Sequence, residues 1–220
     1  MKKIILVPTS HVAKQSLKKV KEVIEKEKPD CVAVELDINR YYAIREGESS
    51  SMEALKRLGF LTFLFYWILK RLQSWLGKKL GILPGSEMIQ AVDVARIERV
   101  KVAFIDRNIA VTLERVKSIS WREKTKLILY LFKGLTIDYL TLKIKRDEKT
   151  IDLSKVPPKE LIEQAMELMR KEFPQLYRVL VEERDQYMAA RLRQLSEEFE
   201  KIVAVTGAGH TEGLKKLLGD

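Results

Sequence analysis

A chain of 220 residues can bury one full hydrophobic core, and 46% hydrophobic against 33% charged residues excludes a disordered composition. A single cysteine excludes an intramolecular disulfide framework and a cysteine-cluster metal site. The formal charge of +10 favours an anionic partner (nucleic acid, acidic peptide or membrane surface), unless the basic residues only form a solvated face.

The first apolar run, Ile4–Val7, follows Met1-Lys2-Lys3 directly. It is too short for a secretory h-region and reads as a strand, so a reducing cytoplasm is the expected location. Val12 to Lys28 has amphipathic helical spacing and stops at Pro29-Asp30. Cys31–Glu35 is a second strand, in which Cys31 is expected to be a buried, inert thiol. Leu58–Leu69 is the most apolar segment. As a helix it would span about 18 Å, short of a bilayer core of about 30 Å, so no transmembrane span is expected. With the basic continuation to Leu76 it reads as a core helix, a homo-oligomer interface over 58–76, or an interfacial helix making peripheral membrane contact.

Ser86 can cap a helix running to about Arg99. Val102–Ile105 is a third strand, followed by helices over Asn108–Lys117 and Trp121–Lys133. Residues 136–156 read as a linker within one domain. Lys159–Lys171 and Gln175–Phe199 form a helical block, and Ile202–Thr206 is the last strand. Short, nearly continuous Val- and Ile-rich runs alternating with helices predict an α/β fold. The expected architecture is a mostly parallel central sheet with helices on both faces. One domain over 1–220 then carries a long helical insertion at about 50–80 and the helical block at about 157–199.

Position singles out the polar residues. The first strand runs into Thr9, Ser10 and His11; the second ends at Glu35, with Asp37 and Arg40 beyond. The third ends at Asp106-Arg107, and the fourth at Gly207-Ala208-Gly209-His210. In an open parallel sheet these ends share one edge, where ligands bind. Each residue alone has a structural reading: a helix-start hydrogen bond for either histidine, an ion pair for Glu35, a local cap for Asp106-Arg107. Both histidines of the chain standing at strand ends argues for a site. Gly207 and Gly209 permit close backbone approach, and the helix start after them offers N–H groups to an anion. Glu87, in a helix first turn, either compensates the dipole or joins the site. Arg184 falls on the apolar stripe of its helix, between Glu183 and Asp185, where a charge needs a partner or a wet cleft.

Two histidines and a carboxylate (His11, Glu35 and His210) would suit a divalent metal such as zinc, manganese or cobalt, with an open position. The same trio can activate water without metal, with arginine stabilising developing negative charge. No nucleic-acid-binding motif and no HExxH, Walker A or GxSxG signature is present.

Taken together, Pro8-Thr9-Ser10-His11, Val32-Ala33-Val34-Glu35-Leu36-Asp37 with Arg40, Pro84-Gly85-Ser86-Glu87-Met88, Ile105-Asp106-Arg107 with Thr112-Leu113 and Arg115, Glu183-Arg184-Asp185 with Tyr187-Met188, and Gly207-Ala208-Gly209-His210 resemble the TraB/PrgY family. That family includes pheromone shutdown proteins and is distantly similar to TIKI proteases and erythromycin esterase-like proteins. The resemblance runs in order along nearly the whole chain. It implies catalytic residues at His11, Glu35, Arg107, Arg184 and His210, joined by Glu87 and Asp185; these two acids, with Ser10, Arg40, Asp106, Gly207 and Gly209 from the strand ends, are expected to bind substrate. Pro8 departs from the first GxxH signature, where glycine is expected; proline removes a backbone donor there. Many members of the family carry a C-terminal membrane region, which does not follow within these 220 residues. The expected function is a hydrolase, peptidase-like, acting on a peptide or small molecule. A non-catalytic peptide- or ligand-binding module in the same cleft is the alternative, and a basic membrane-surface or nucleic-acid-binding protein ranks last.

Overall fold

The computed structural model describes residues 2–9, 14–46, 86–135 and 159–219. Among the described residues, four strands form one parallel sheet in the order β1-β4-β2-β3. They are β1 (Lys3–Thr9), β2 (Cys31–Val34), β3 (Lys101–Phe104) and β4 (Lys201–Gly207). The described helices are α1 (Lys14–Glu27), α2 (Ile38–Glu46), α3 (Ser86–Ile97), α4 (Ile109–Ser118), α5 (Trp121–Leu135), α6 (Lys159–Glu172), α7 (Pro174–Tyr177), α8 (Glu183–Glu198) and α9 (Thr211–Leu218). The α/β class and the parallel sheet expected from the alternating runs are present.

Period-two alternation sorts the strand side chains into two cores. Val32, Val34, Val203 and Val205 pack with Val20 and Ile24 of α1 and Met88, Val92 and Ala95 of α3. Cys31, Ala33, Ile202 and Ala204 pack with Met188, Ala189 and Leu192 of α8 and Leu214 of α9. A one-residue slip of β2 or β4 would exchange the two sets, so both faces fix the register. Cys31 is buried on the α8 side, and burial pushes its thiol up to about 11. Among the described strands β1 and β3 lie at the two ends of the order, and Pro8, which cannot donate to a ladder, sits in β1.

The same alternation aims the first acid beyond β2. The Glu35 N–H continues the ladder by donating to the Val205 carbonyl at 3.0 Å. Glu35 therefore follows Cys31 and Ala33 toward α8, whereas Leu36 joins the opposite core with Val34.

Two elements differ from the sequence expectation. Asp37 begins an unanticipated helix, α2, its carboxylate accepting from the N–H groups of Asn39 (3.1 Å) and Arg40 (3.2 Å). The single helix expected over Gln175–Phe199 is α7, a π-turn (Arg178–Glu182) and α8. A third core ties α4 to this junction through Val116, Ile119, Phe173, Leu176 and Val179. The Glu123 carboxylate caps α7 by accepting from the N–H groups of Gln175 (3.3 Å) and Leu176 (2.8 Å). Leu58–Leu69, the expected insertion at 50–80 and the whole linker at 136–156 lie outside the described residues. Among the described residues, no helix is long and apolar enough to cross a membrane.

Candidate functional site

At the carboxyl ends of β2 and β4, α8 lays one guanidinium across two acids. Arg184 Nη2 donates to Glu35 Oε1 at 2.5 Å and to Asp106 Oδ2 at 2.8 Å, while its Nε donates to Asp106 Oδ1 at 3.0 Å. The Asp106 contact is bidentate, the geometry that makes an arginine–carboxylate pair strong and directional. The other oxygen of Glu35 accepts from the Gly207 N–H at 2.6 Å, so the adjacent ends of β2 and β4 clamp this carboxylate.

His210 closes the cluster. Its Nδ1 lies 2.6 Å from Asp185 Oδ1, and its Nε2 lies 3.3 Å from Glu35 Oε1 and 3.0 Å from Arg184 Nη1. Asp185 can come this close because residue 213 in α9 is glycine. A Cβ there would stand 2.0 Å from Asp185 Oδ2. Gly209 likewise lies against Met166 of α6, whose methyl group a Cβ would meet at 2.7 Å.

Three carboxylates (Glu35, Asp106 and Asp185) face two cationic side chains (Arg184 and His210), and all five are largely buried. The balance decides the protonation of His210. Burial opposes its charge, but the Glu35 carboxylate and the hydrogen bonds to Asp185 and Glu35 outweigh it, and the imidazole is pushed up to about 9. Burial raises the Asp185 carboxyl against the lowering pull of His210, and the Glu35 charge adds to the rise. As a cation, His210 donates Nδ1–H to Asp185 and Nε2–H to Glu35. On losing the Nε2 proton, it can accept from Arg184 Nη1 without any heavy atom moving. The position therefore supports both members of an acid–base pair.

Arg107, although adjacent to Asp106, belongs to a second cluster. It donates from Nε to Thr112 Oγ1 (2.9 Å), from Nη1 to Glu183 Oε2 (2.8 Å) and from Nη2 to the Val179 carbonyl (2.6 Å). Arg115 and Arg178 approach the same Glu183 carboxylate at 3.5 and 3.8 Å. The π-turn links the two clusters, because Arg184 Nη1 also donates to the Leu180 carbonyl at 3.3 Å. A π-turn shifts the hydrogen-bond ladder by one residue; here both arginines collect carbonyls from it.

The residues singled out by sequence are thus divided. Glu35, Asp106, Arg184, Asp185, Gly207 and His210 are assembled. Arg107 stands in its own network. Arg40 is half-buried on α2, and Glu87 is buried in the first turn of α3. His11 and Ser10 lie outside the described residues. Sequence reading missed Gly213 and the π-turn; a glycine in the first turn of an otherwise amphipathic helix was the available signal for Gly213.

Among the described residues, no group of three His, Cys, Asp or Glu side chains is disposed to hold a metal ion. Glu35 Oε1 and His210 Nε2 are near enough to share one, but the Arg184 guanidinium contacts both atoms. A divalent cation at that point would have to displace it.

The TraB/PrgY/gumN family profile matches residues 1–219. An uncharacterized protein of Methanocaldococcus jannaschii is 36% identical over 219 residues, covering 98% of this chain and 53% of that protein. TraB domain-containing proteins of Mus musculus and Homo sapiens are each 28% identical over 243 residues, covering 97% of this chain and 62% of theirs. The chain therefore spans about half to three-fifths of the length of these relatives.

Proposed function

The chain belongs to the TraB/PrgY/gumN family, and from that premise we propose that it is a hydrolase of peptide-like bonds. His210 and Glu35 are its acid–base pair. The observation that carries this reading is the Asp185–His210–Glu35 chain of contacts at the strand ends, 2.6 and 3.3 Å long, with Arg184 beside it. Glu35 takes the proton of a water whose oxygen adds to the carbonyl carbon. As the C–N bond breaks, the His210 imidazolium gives its Nε2 proton to the leaving nitrogen, and Arg184 faces the lone pair left behind. Asp185 fixes the ring, as an acid on Nδ1 does in hydrolytic triads. A bound zinc, manganese or cobalt ion would supply Lewis-acid polarisation and a water of lowered pKa. His11, Glu35 and His210 are the residues that would hold it, and Arg184 would have to move aside.

Peptide-pool digestion followed by mass spectrometry tests the proposal, run after chelation and again with each metal. Wild type should cleave, and His210→Ala and Glu35→Gln should each lose about 100-fold or more. A wild type that cleaves nothing under any of these conditions overturns the reading. The second reading, a peptide-binding module without turnover, is favoured by the saturation of Arg184, whose Nε, Nη1 and Nη2 all donate within the protein. Binding without cleavage would select it.

A further inference from the structure

We propose that Arg115 and Arg178 form a subsite for a carboxylate of the substrate, which makes the chain selective for acidic peptides. Cleavage of such a peptide rests on the reading above; its binding does not. The basis is a convergence of charge at the π-turn. Arg107 Nη1 donates to Glu183 Oε2 at 2.8 Å, and both side chains are largely buried, so this pair is already neutral. Arg115 from α4 and Arg178 from the π-turn nonetheless approach the same carboxylate, at 3.5 and 3.8 Å. Among the described residues, Glu183 is the one carboxylate in ion-pair contact with either of them. Three cations thus meet one anion. The side chains of Arg115 and Arg178 are 60% and 73% exposed, so each could turn into water, yet both are gathered on Glu183. Surplus like charges held together repel, and a second anion between them turns that repulsion into attraction.

The geometry suits a carboxylate. Each of the two arginines meets Glu183 through Nε, so its Nη groups lie farther out. A guanidinium presents its N–H groups as a flat fork that matches the two oxygens of a carboxylate, which a lysine ammonium cannot do. Location ties this subsite to the candidate site. Arg107 takes the Val179 carbonyl and Arg184 takes the Leu180 carbonyl, two consecutive groups of the π-turn. The partners are consecutive too: Arg107 pairs with Glu183 and Asp106 with Arg184. A carboxylate on Arg115 and Arg178 would therefore lie within a short peptide's reach of the Glu35–His210 contact, at about 3.5 Å per extended residue. The formal charge of +10 draws acidic peptides toward the same chain, and the arginine pair gives that attraction a place.

Three octapeptide pools supply the probe, each titrated calorimetrically into the full chain at low salt. The first is end-blocked with Gln at alternate positions. The second has Glu in place of Gln, and the third keeps Gln but carries a free C-terminal carboxylate. Wild type should bind the second or the third about tenfold more tightly than the first, and the pool that gains tells a side-chain carboxylate from a chain terminus. Arg115→Ala/Arg178→Ala should bring that advantage below about twofold, with Arg115→Gln and Arg178→Gln in between, all folded by circular dichroism. Arg115→Lys/Arg178→Lys should keep part of it. Lys18→Ala/Lys21→Ala, which removes the same charge from exposed positions on α1, should keep all of it. No advantage for either carboxylate-bearing pool in wild type overturns the inference. So does an advantage that survives in Arg115→Ala/Arg178→Ala, or one that falls equally with the α1 lysines, because the attraction would then belong to the net charge. Carboxylate-selective binding without turnover leaves the subsite standing and defeats the hydrolase reading alone. Cleavage with no preference among the pools defeats the subsite and leaves the hydrolase.

Discussion

Two arginines at the same sheet edge, Arg184 and Arg107, do opposite things with their surroundings. Both are largely buried, and both take a carbonyl from the π-turn. Arg107 meets one glutamate, a threonine and a carbonyl, and two exposed arginines share that glutamate. Its described partners include no histidine. Arg184 is placed among three carboxylates and a histidine, and there the charges do not cancel. Buried charges that cancel stabilise a junction; a buried excess of one sign holds a proton in place, and a held proton is what acid–base chemistry needs.

Substitutions should separate the two clusters. Arg184→Ala leaves Glu35 and Asp106 buried and facing each other, and should destabilise by about 3–5 kcal/mol in urea unfolding while raising the His210 pKa further. Arg107→Ala should cost about 2 kcal/mol, since Arg115 and Arg178 remain to pair with Glu183, and should leave the His210 titration where it was. Equal effects of the two variants on that titration would erase the distinction. Gly213→Ala gains about 1 kcal/mol of helix propensity and loses about 1–3 kcal/mol to the clash with Asp185. A net loss of about 1 kcal/mol is expected, with a lower His210 pKa as Asp185 is pushed off Nδ1. An unchanged variant would show that Asp185 has room to move.

Protonation of His210 gives the pH dependence. His210 is raised from 6.5 to about 9 in the folded chain. Its contribution to stability is therefore fully present below about pH 6.5 and is lost as pH rises through 9. Urea midpoints of wild type and His210→Asn should differ most near pH 6 and converge above pH 9. A gap that widens with pH would reverse the sign of the account.

Much of this was legible in the residues, because strand periodicity carries direction. Reading Cys31–Glu35 as a strand places Glu35 on the α8 side with Cys31 and Ala33, and the Gly-x-Gly-His run places His210 at the end of β4. The convergence of Glu35, Asp106 and His210 follows from parallel topology; Arg184 comes from α8, where its place on an apolar stripe called only for a partner or a wet cleft. The partition of the arginines did not follow. Asp106 and Arg107 are neighbours in sequence and meet neighbours on α8, Arg184 and Glu183, yet Arg107 also takes a carbonyl from the π-turn, and nothing in Arg178–Glu182 announces that turn. Asp37 was grouped with the strand-end acids; its spacing to Asn39 and Arg40, the mark of a helix cap, went unread.

The central claim is that His210 is an imidazolium held between Asp185 and Glu35 at neutral pH. The chain has two histidines, so proton–nitrogen NMR of the imidazoles, with His11→Gln to assign them, reads it directly. The account predicts one ring that stays doubly protonated at neutral pH, titrates near 9 and moves down in Asp185→Asn. A His210 ring that titrates at or below about 6.5 in the wild type would contradict it.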